Sequence, residues 1–200
     1  AETALAMEGE LLLADGNLEA AQQSYEKLLT KATTAANKKA AQLGMLRIAR
    51  DKGDDAKVVE AANVLLGAGL DNDTRAEVVY ARGTAYQELG NEAKAIDDYK
   101  SLTSSLETLY GTISAYRLAE LYHERGDNSK ALDVLNKLSD SGTPHQYWLA
   151  RGFILLSDIY AAQGDKFQAR EYLESLRENY PGKEADIFEM VETRLKKLKN

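Results

Sequence analysis

A glycine followed by Asn or Asp recurs five times along this chain, at Gly16-Asn17, Gly53-Asp54, Gly90-Asn91, Gly126-Asp127 and Gly164-Asp165, at spacings of 37, 37, 36 and 38 residues. Each pair has a mechanical meaning. Glycine ends a helix because it enters the left-handed region with no Cβ to clash. An Asn or Asp directly after it caps the next helix by accepting a bond from a free backbone N–H. One such pair is an ordinary surface turn. Five at even spacing are the joints of five antiparallel helix pairs, since self-similarity at this period is the mark of a repeat array.

The side chains around the joints keep the same register. Seven residues before the glycine stand Gly9, Leu46, Gly83, Ala119 and Ser157, and five after it Ala21, Val58, Ala95, Ala131 and Ala169. Small residues on both helices of a pair let the backbones approach closely. Larger residues recur four before the glycine (Leu12, Ala49, Tyr86, Tyr122, Tyr160), nine after it (Tyr25, Ala62, Tyr99, Leu135, Leu173) and twelve after it (Leu28, Leu65, Leu102, Leu138, Leu176). Offsets of three, four and seven put them on one helical face. Two prolines and three phenylalanines in 200 residues argue against a sandwich or barrel, and 44% hydrophobic content suffices for a core.

This pattern resembles the tetratricopeptide repeat over roughly residues 1 to 181. The best copies are 76–104, with Arg82-Gly83-Thr84-Ala85-Tyr86 and Glu92-Ala93-Lys94-Ala95-Ile96, and 150–181, which ends in Tyr180-Pro181. The resemblance implies an all-α fold, a right-handed α-α superhelix of five helix pairs plus a capping helix. The expected organisation is a single solenoid over 1–200, with repeats at about 2–38, 39–75, 76–111, 112–149 and 150–182 and the cap at 183–198. Helices are expected at 2–15, 18–31, 35–51, 54–66, 73–89, 91–104, 109–125, 127–139, 145–163 and 165–178. Thr143-Pro144 reads as an N-cap with proline in the first turn. Ile187, Val191, Leu195 and Leu198 form the buried stripe of the cap, which keeps the end of a stack soluble. The second repeat departs from the pattern, because Leu46, Val58, Ala49 and Ala62 invert its small and large positions; its helices are expected to cross further apart or to rotate. The long repeats and the Tyr-Pro ending look more like bacterial cell-envelope members than eukaryotic co-chaperones, which favours periplasm or envelope over cytoplasm. With a helical end at Arg194–Asn200 and no polar cap ahead of Ala1, the chain reads as the C-terminal part of a longer protein.

Chemistry-bearing motifs are few. With no cysteine, the chain has no disulfide or thiolate site. His123 and His145 have no ligand spacing, and His123-Glu124 lacks the second histidine of a zinc-protease motif. The glycines are single, so no loop cradles a phosphate; Gly67-Ala68-Gly69 is a linker between repeats. No enzyme activity, cofactor, metal or small-molecule substrate is expected. A formal charge of −7 argues against nucleic acid as the partner. Lys38, Lys39, Arg47, Arg50 and Lys52, and the basic C-terminus, read as solvated helix faces.

Function is therefore expected on the concave face, which in the tetratricopeptide family is lined by the first helix of each pair. The resemblance places its exposed positions thirteen, ten, six, three and two residues before the loop glycine. The candidate partner-binding residues are Arg47, Arg50, Tyr80, Gln87, Tyr116, Glu120, His123, Arg151 and Asp158. Over all these positions three basic residues meet seven acidic ones. The expected ligand is a protein or peptide, basic or helical in character, with Tyr80 and Tyr116 as aromatic anchors unless they pack between helices. Glu10, Arg47, Thr84, Glu120 and Asp158 fill the positions six before the glycine, with no Asn and no clamp lysines, so a chaperone-tail carboxylate clamp is not expected. Two other readings stay open: self-association, through the N-terminal end, and a non-catalytic accessory domain of a larger enzyme.

Overall fold

The computed structural model describes residues 1–199; Asn200, the last residue of the expected helical end, lies outside them. Among the described residues the secondary structure is entirely helical: α1 (Glu2–Ala14), α2 (Leu18–Lys31), α3 (Ala35–Asp51), α4 (Asp55–Leu66), α5 (Asn72–Glu88), α6 (Glu92–Leu102), α7 (Leu109–Glu124), α8 (Asn128–Asp140), α9 (Gln146–Ala162), α10 (Lys166–Asn179) and α11 (Ala185–Leu198). All lie within two residues of expectation at each end. The chain divides into two compact units, Ala1–Asp98 and Tyr99–Asn200, with the division inside α6. In the first unit α1 packs on α2 and α3, α3 on α2 and α4, and α4 on α5. In the second, α7 packs on α8 and α9, α9 on α8, α10 and α11, and α10 on α11.

The five joints form as the dipeptides require. Gly16, Gly53, Gly90, Gly126 and Gly164 have φ of 75, 70, 73, 76 and 86°. The residue after each glycine then works in both directions. Its backbone N–H donates to the carbonyl five residues back, as in Asn17 to Leu12 (2.8 Å) and Asp165 to Tyr160 (2.9 Å), which closes the first helix. Its side chain accepts from a backbone N–H three residues on, as Asp165 does from Gln168 at 3.0 Å, which opens the second.

Thr143 and Pro144 do not cap α9. Its N-cap is His145, with no side-chain cap bond, and Pro144 lies ahead of the first turn. The Thr143 hydroxyl is instead buried against that of Thr112 on α7, at 2.7 Å, and this fixes the α8–α9 connection. A capping signature yields here to a tertiary bond that local sequence does not reveal.

Sizes are matched across each pair. In the first repeat Tyr25, 2% exposed, lies against Gly9 of α1: a Cβ there would sit 2.7 Å from the tyrosine Cζ. The inverted second repeat exchanges the roles. Leu46 of α3 is the large residue and Ala62 of α4 the small one, and both are fully buried in one cluster with Val58, Leu65, Val78 and Ala81. In the second unit Tyr116, Ala119, Leu135, Leu156 and Ile159 form one cluster, and Leu173, Leu176, Ile187, Val191 and Leu195 another. The last three are the stripe expected for the C-terminal helix, with Leu198 half-buried beside them.

Several caps respond to pH. Asp71 caps α5 by accepting from the Thr74 N–H (2.9 Å) and hydroxyl (2.7 Å), and these bonds hold its carboxyl below the ordinary aspartate value. Asp54 and Asp127 are lowered likewise, chiefly by bonds from Lys57 and Lys130. A depressed folded pKa gives stability that is present above the unfolded value, roughly 3.9, and is lost as pH falls through the folded one. Asp71→Asn keeps an acceptor but does not titrate. The difference in urea midpoint between wild type and Asp71→Asn should therefore shrink as pH drops below the ordinary aspartate range. A difference that grows on acidification would contradict this assignment.

Candidate partner-binding face

In the first unit the candidate residues occupy the first helices of the pairs, α3 and α5. Arg47 holds Glu77 through two bonds, 2.6 Å from Nε and 2.7 Å from Nη2. Arg50 bonds Asp51 on its own helix at 3.0 Å. Tyr80 and Gln87 are half-buried on α5. The acids Glu77 and Asp51 of the expected acidic face are thus already paired within the protein.

The second unit gathers its candidates more tightly. Arg151 on α9 lies near the rings of Tyr116 on α7 and Tyr147 on α9, its Cζ 5.1 and 6.0 Å from their centroids. It donates to both hydroxyls, at 2.9 Å to Tyr116 and 3.1 Å to Tyr147. Each phenol passes the chain on to a carboxylate, Tyr116 to Glu120 at 2.8 Å and Tyr147 to Asp186 of α11 at 2.8 Å. Arg117 bonds the other oxygen of Glu120 at 3.0 Å. Trp148 seals the cluster, its ring 5.6 Å from Tyr116 and 5.2 Å from Tyr147. Burial, with Glu120 beside it, pushes the Tyr116 hydroxyl above the ordinary tyrosine value, so the phenol stays protonated and can donate. Burial opposes the Arg151 charge, but its bonds to the two phenols outweigh that and raise its pKa.

Two further candidates sit apart from this cluster. Asp158 on α9 is held by Arg194 of α11 through two bonds, 2.7 and 2.8 Å. His123 bonds the Asn128 side chain at 2.7 Å, bridging the α7–α8 joint. Tyr116 is only 5% exposed, and Ile113 and Ile154, also expected on the exposed face, are buried. The next first helix accounts for two of these: Tyr116 lies against Trp148 and Arg151 of α9, and Ile154 packs with Ile187, Val191 and Leu195 of α11.

One tetratricopeptide-repeat model matches residues 114–141 and 153–183, and a second matches 76–105. Over these three stretches the sequence matches the tetratricopeptide repeat. A search of the curated proteins found no match. Among solved structures, MamA is similar with a TM-score of 0.68 at 18% identity, over 94% of this chain and 96% of that one. YrrB, described as a TPR protein with an unusual peptide-binding site, is similar with a TM-score of 0.65 at 19% identity, over 94% of this chain and 88% of that one. At such identities the likeness is one of fold. Tetratricopeptide repeats are in general interaction modules rather than catalysts. Among the described residues no group of three or more His, Cys, Asp or Glu side chains is placed to hold a metal ion, and no helix is long and apolar enough to cross a membrane.

Within these repeats, sequence reasoning missed Tyr147, Trp148, Arg117, Asp186 and Arg194. Tyr147 stands one helical turn before Arg151, seventeen residues ahead of the loop glycine, just beyond the positions considered. Arg194 falls where a sixth repeat would place its first helix. Extending the register past the last joint would have found it.

Proposed function

We propose that this chain is a protein-interaction scaffold that holds a partner's peptide segment along the first helices of its second unit, over Tyr116, Glu120 and Arg151 with Tyr147 and Trp148. The observation that carries the reading is the arginine held between two tyrosine hydroxyls. Arg, Tyr and Trp are the residues that most often dominate interface energies. Here they are pre-ordered by bonds within the protein, so less entropy is lost when a partner arrives. YrrB supports a peptide ligand by analogy of fold.

The partner's charge preference is modest. On this face Glu120, Glu124, Asp158 and Asp186 stand against Arg117, Arg151 and Arg194, a net of −1. Basic residues in the partner would act mainly on association rate and salt dependence, and the aromatic and arginine contacts on residence time.

Once a partner segment is in hand, Arg151→Ala should weaken it by about tenfold or more, the scale of an interface hot spot. Asp133→Ala, on the exposed face of α8, should leave affinity within about twofold. Calorimetric titration with melting temperatures of each variant would check both. Unchanged affinity in a well-folded Arg151→Ala variant would remove this face from the function.

A further inference from the structure

A cleft in the second unit shares no residue with the face just described. It holds about 340 Å³, and its lining comes from the end of α6 and the connection after it, from α7 and from α8, between Lys100 and Lys137. The repeat register explains why it is there. In the third repeat the positions eight before and eight after the joint glycine hold Arg82 and Asp98, joined by bonds of 2.9 and 2.7 Å. In the fifth the positions eleven and four before and eight after it hold Phe153, Tyr160 and Tyr172, and the Tyr172 ring stacks on each of the others at 5.8 Å. The fourth repeat places Ala115, Leu118, Tyr122 and Val134 at these positions. Ala115 and Val134 are too short to meet as the rings of the fifth repeat do, and Leu118 and Val134 have no charge with which to pair as in the third. An apolar floor opens between the helices instead, with Leu106 added from the connection before α7.

Charge narrows the occupant. The exposed side chains of Lys100, Lys130 and Lys137 stand around the cleft, together with Asp133. Among the described residues the lining thus has three lysines against one aspartate, an excess of two positive charges, on a chain whose acids exceed its bases by seven. Lys130 bonds Asp127 at 2.6 Å and Lys137 bonds Asp133 at 2.9 Å. Exposed pairs between near neighbours contribute little, so an arriving anion can share or displace them. The Lys130 ammonium also lies 5.6 Å from the Tyr122 ring centroid, which sets its charge beside the apolar wall. Small-ligand sites are concave and mostly apolar with a few placed polar groups, and span about 300–1,000 Å³. This cleft is at the small end of that range, which suits one short chain. We propose that it binds a small amphipathic anion, an alkyl carboxylate whose chain lies on Leu118, Tyr122 and Val134 and whose charge meets the three lysines.

Amide NMR titrations of the whole chain with octanoate, octanol and acetate at low salt test this. Octanoate should bind saturably and shift the amide signals of Leu118, Tyr122 and Val134. Octanol lacks the charge and acetate lacks the chain, so each should bind about tenfold or more weaker. Lys100→Gln combined with Lys137→Gln, both at exposed sites, should weaken octanoate by about tenfold and leave octanol unchanged. Val134→Tyr, which copies the residue type of the fifth repeat, should fill the cleft and weaken both ligands. The proposal is overturned if octanoate shows no saturable binding, or if octanoate and octanol bind alike. It is also overturned if the double lysine variant, with its amide spectrum intact, binds octanoate as wild type does, or if the shifts gather elsewhere. Shifts at these residues with anionic vesicles or an acidic peptide, and none with monomeric octanoate, would overturn it too.

Discussion

Tyr25→Ala is expected to destabilise the first unit by about 3–5 kcal/mol, the range for removing a large buried aromatic side chain. Its ring fills a slot between two glycines, and a Cβ at either Gly9 or Gly44 would meet ring atoms. The slot is lined by backbone of α1 and α3, which cannot collapse into the cavity without moving whole helices. The glycines give the test its sign. Gly44→Ala alone should cost about 1–3 kcal/mol by overpacking. In the Tyr25→Ala background the obstruction is gone, and the same change should be neutral or stabilising, because alanine is favoured over glycine within a helix by up to about 1 kcal/mol. A double-mutant cycle by urea denaturation measures this coupling. Additive costs would show that the ring does not occupy that slot.

Gly111→Ala is the second large effect, expected to cost the second unit about 3 kcal/mol, the upper end for overpacking. A Cβ at Gly111 would collide with the carbonyl carbon and oxygen of Ser105, in the connection that leads into α7. The obstacle is backbone, and it is held in place. Ser105 O accepts from the Thr108 N–H at 3.1 Å and from the Thr108 hydroxyl at 2.8 Å. The Thr108 oxygen in turn caps α7 by accepting from the Gly111 N–H at 3.1 Å. Relief therefore requires dismantling the cap. The reading is a drop in thermal midpoint together with faster amide exchange at residues 105–112. A Gly111→Ala protein as stable as wild type would refute the tight turn.

Much of the fold was legible because it is written five times over. The Gly-Asn/Asp joints fixed where helices begin and end. The match of Gly9, seven before its joint, to Tyr25, nine after it, came only from the structure, because the sequence paired the small residue at the first position with the small one five after the joint. Gly44 and Gly111 escaped notice because they stand nine and fifteen residues before their joints, outside the compared positions. The candidate face was legible in its helices but not in its charges. Arg47 reaches Glu77 thirty residues on, and Asp158 reaches Arg194 thirty-six on. Such pairs join one repeat to the next, and a tally of acids and bases along each repeat cannot see them cancel. Four of the seven acids counted there, Asp51, Glu77, Glu120 and Asp158, carry ion pairs inside the protein.

The most direct test of the scaffold account is site-specific photo-cross-linking in the native cell. A photoreactive residue is placed at the exposed first-helix positions Glu124 and Ala162, and separately at the exposed second-helix positions Asp133 and Glu171. Adducts to one protein from Glu124 and Ala162, lost on Arg151→Ala and missing from Asp133 and Glu171, are the predicted result. Adducts that arise from Asp133 and Glu171 instead, or that persist unchanged in Arg151→Ala, would contradict it.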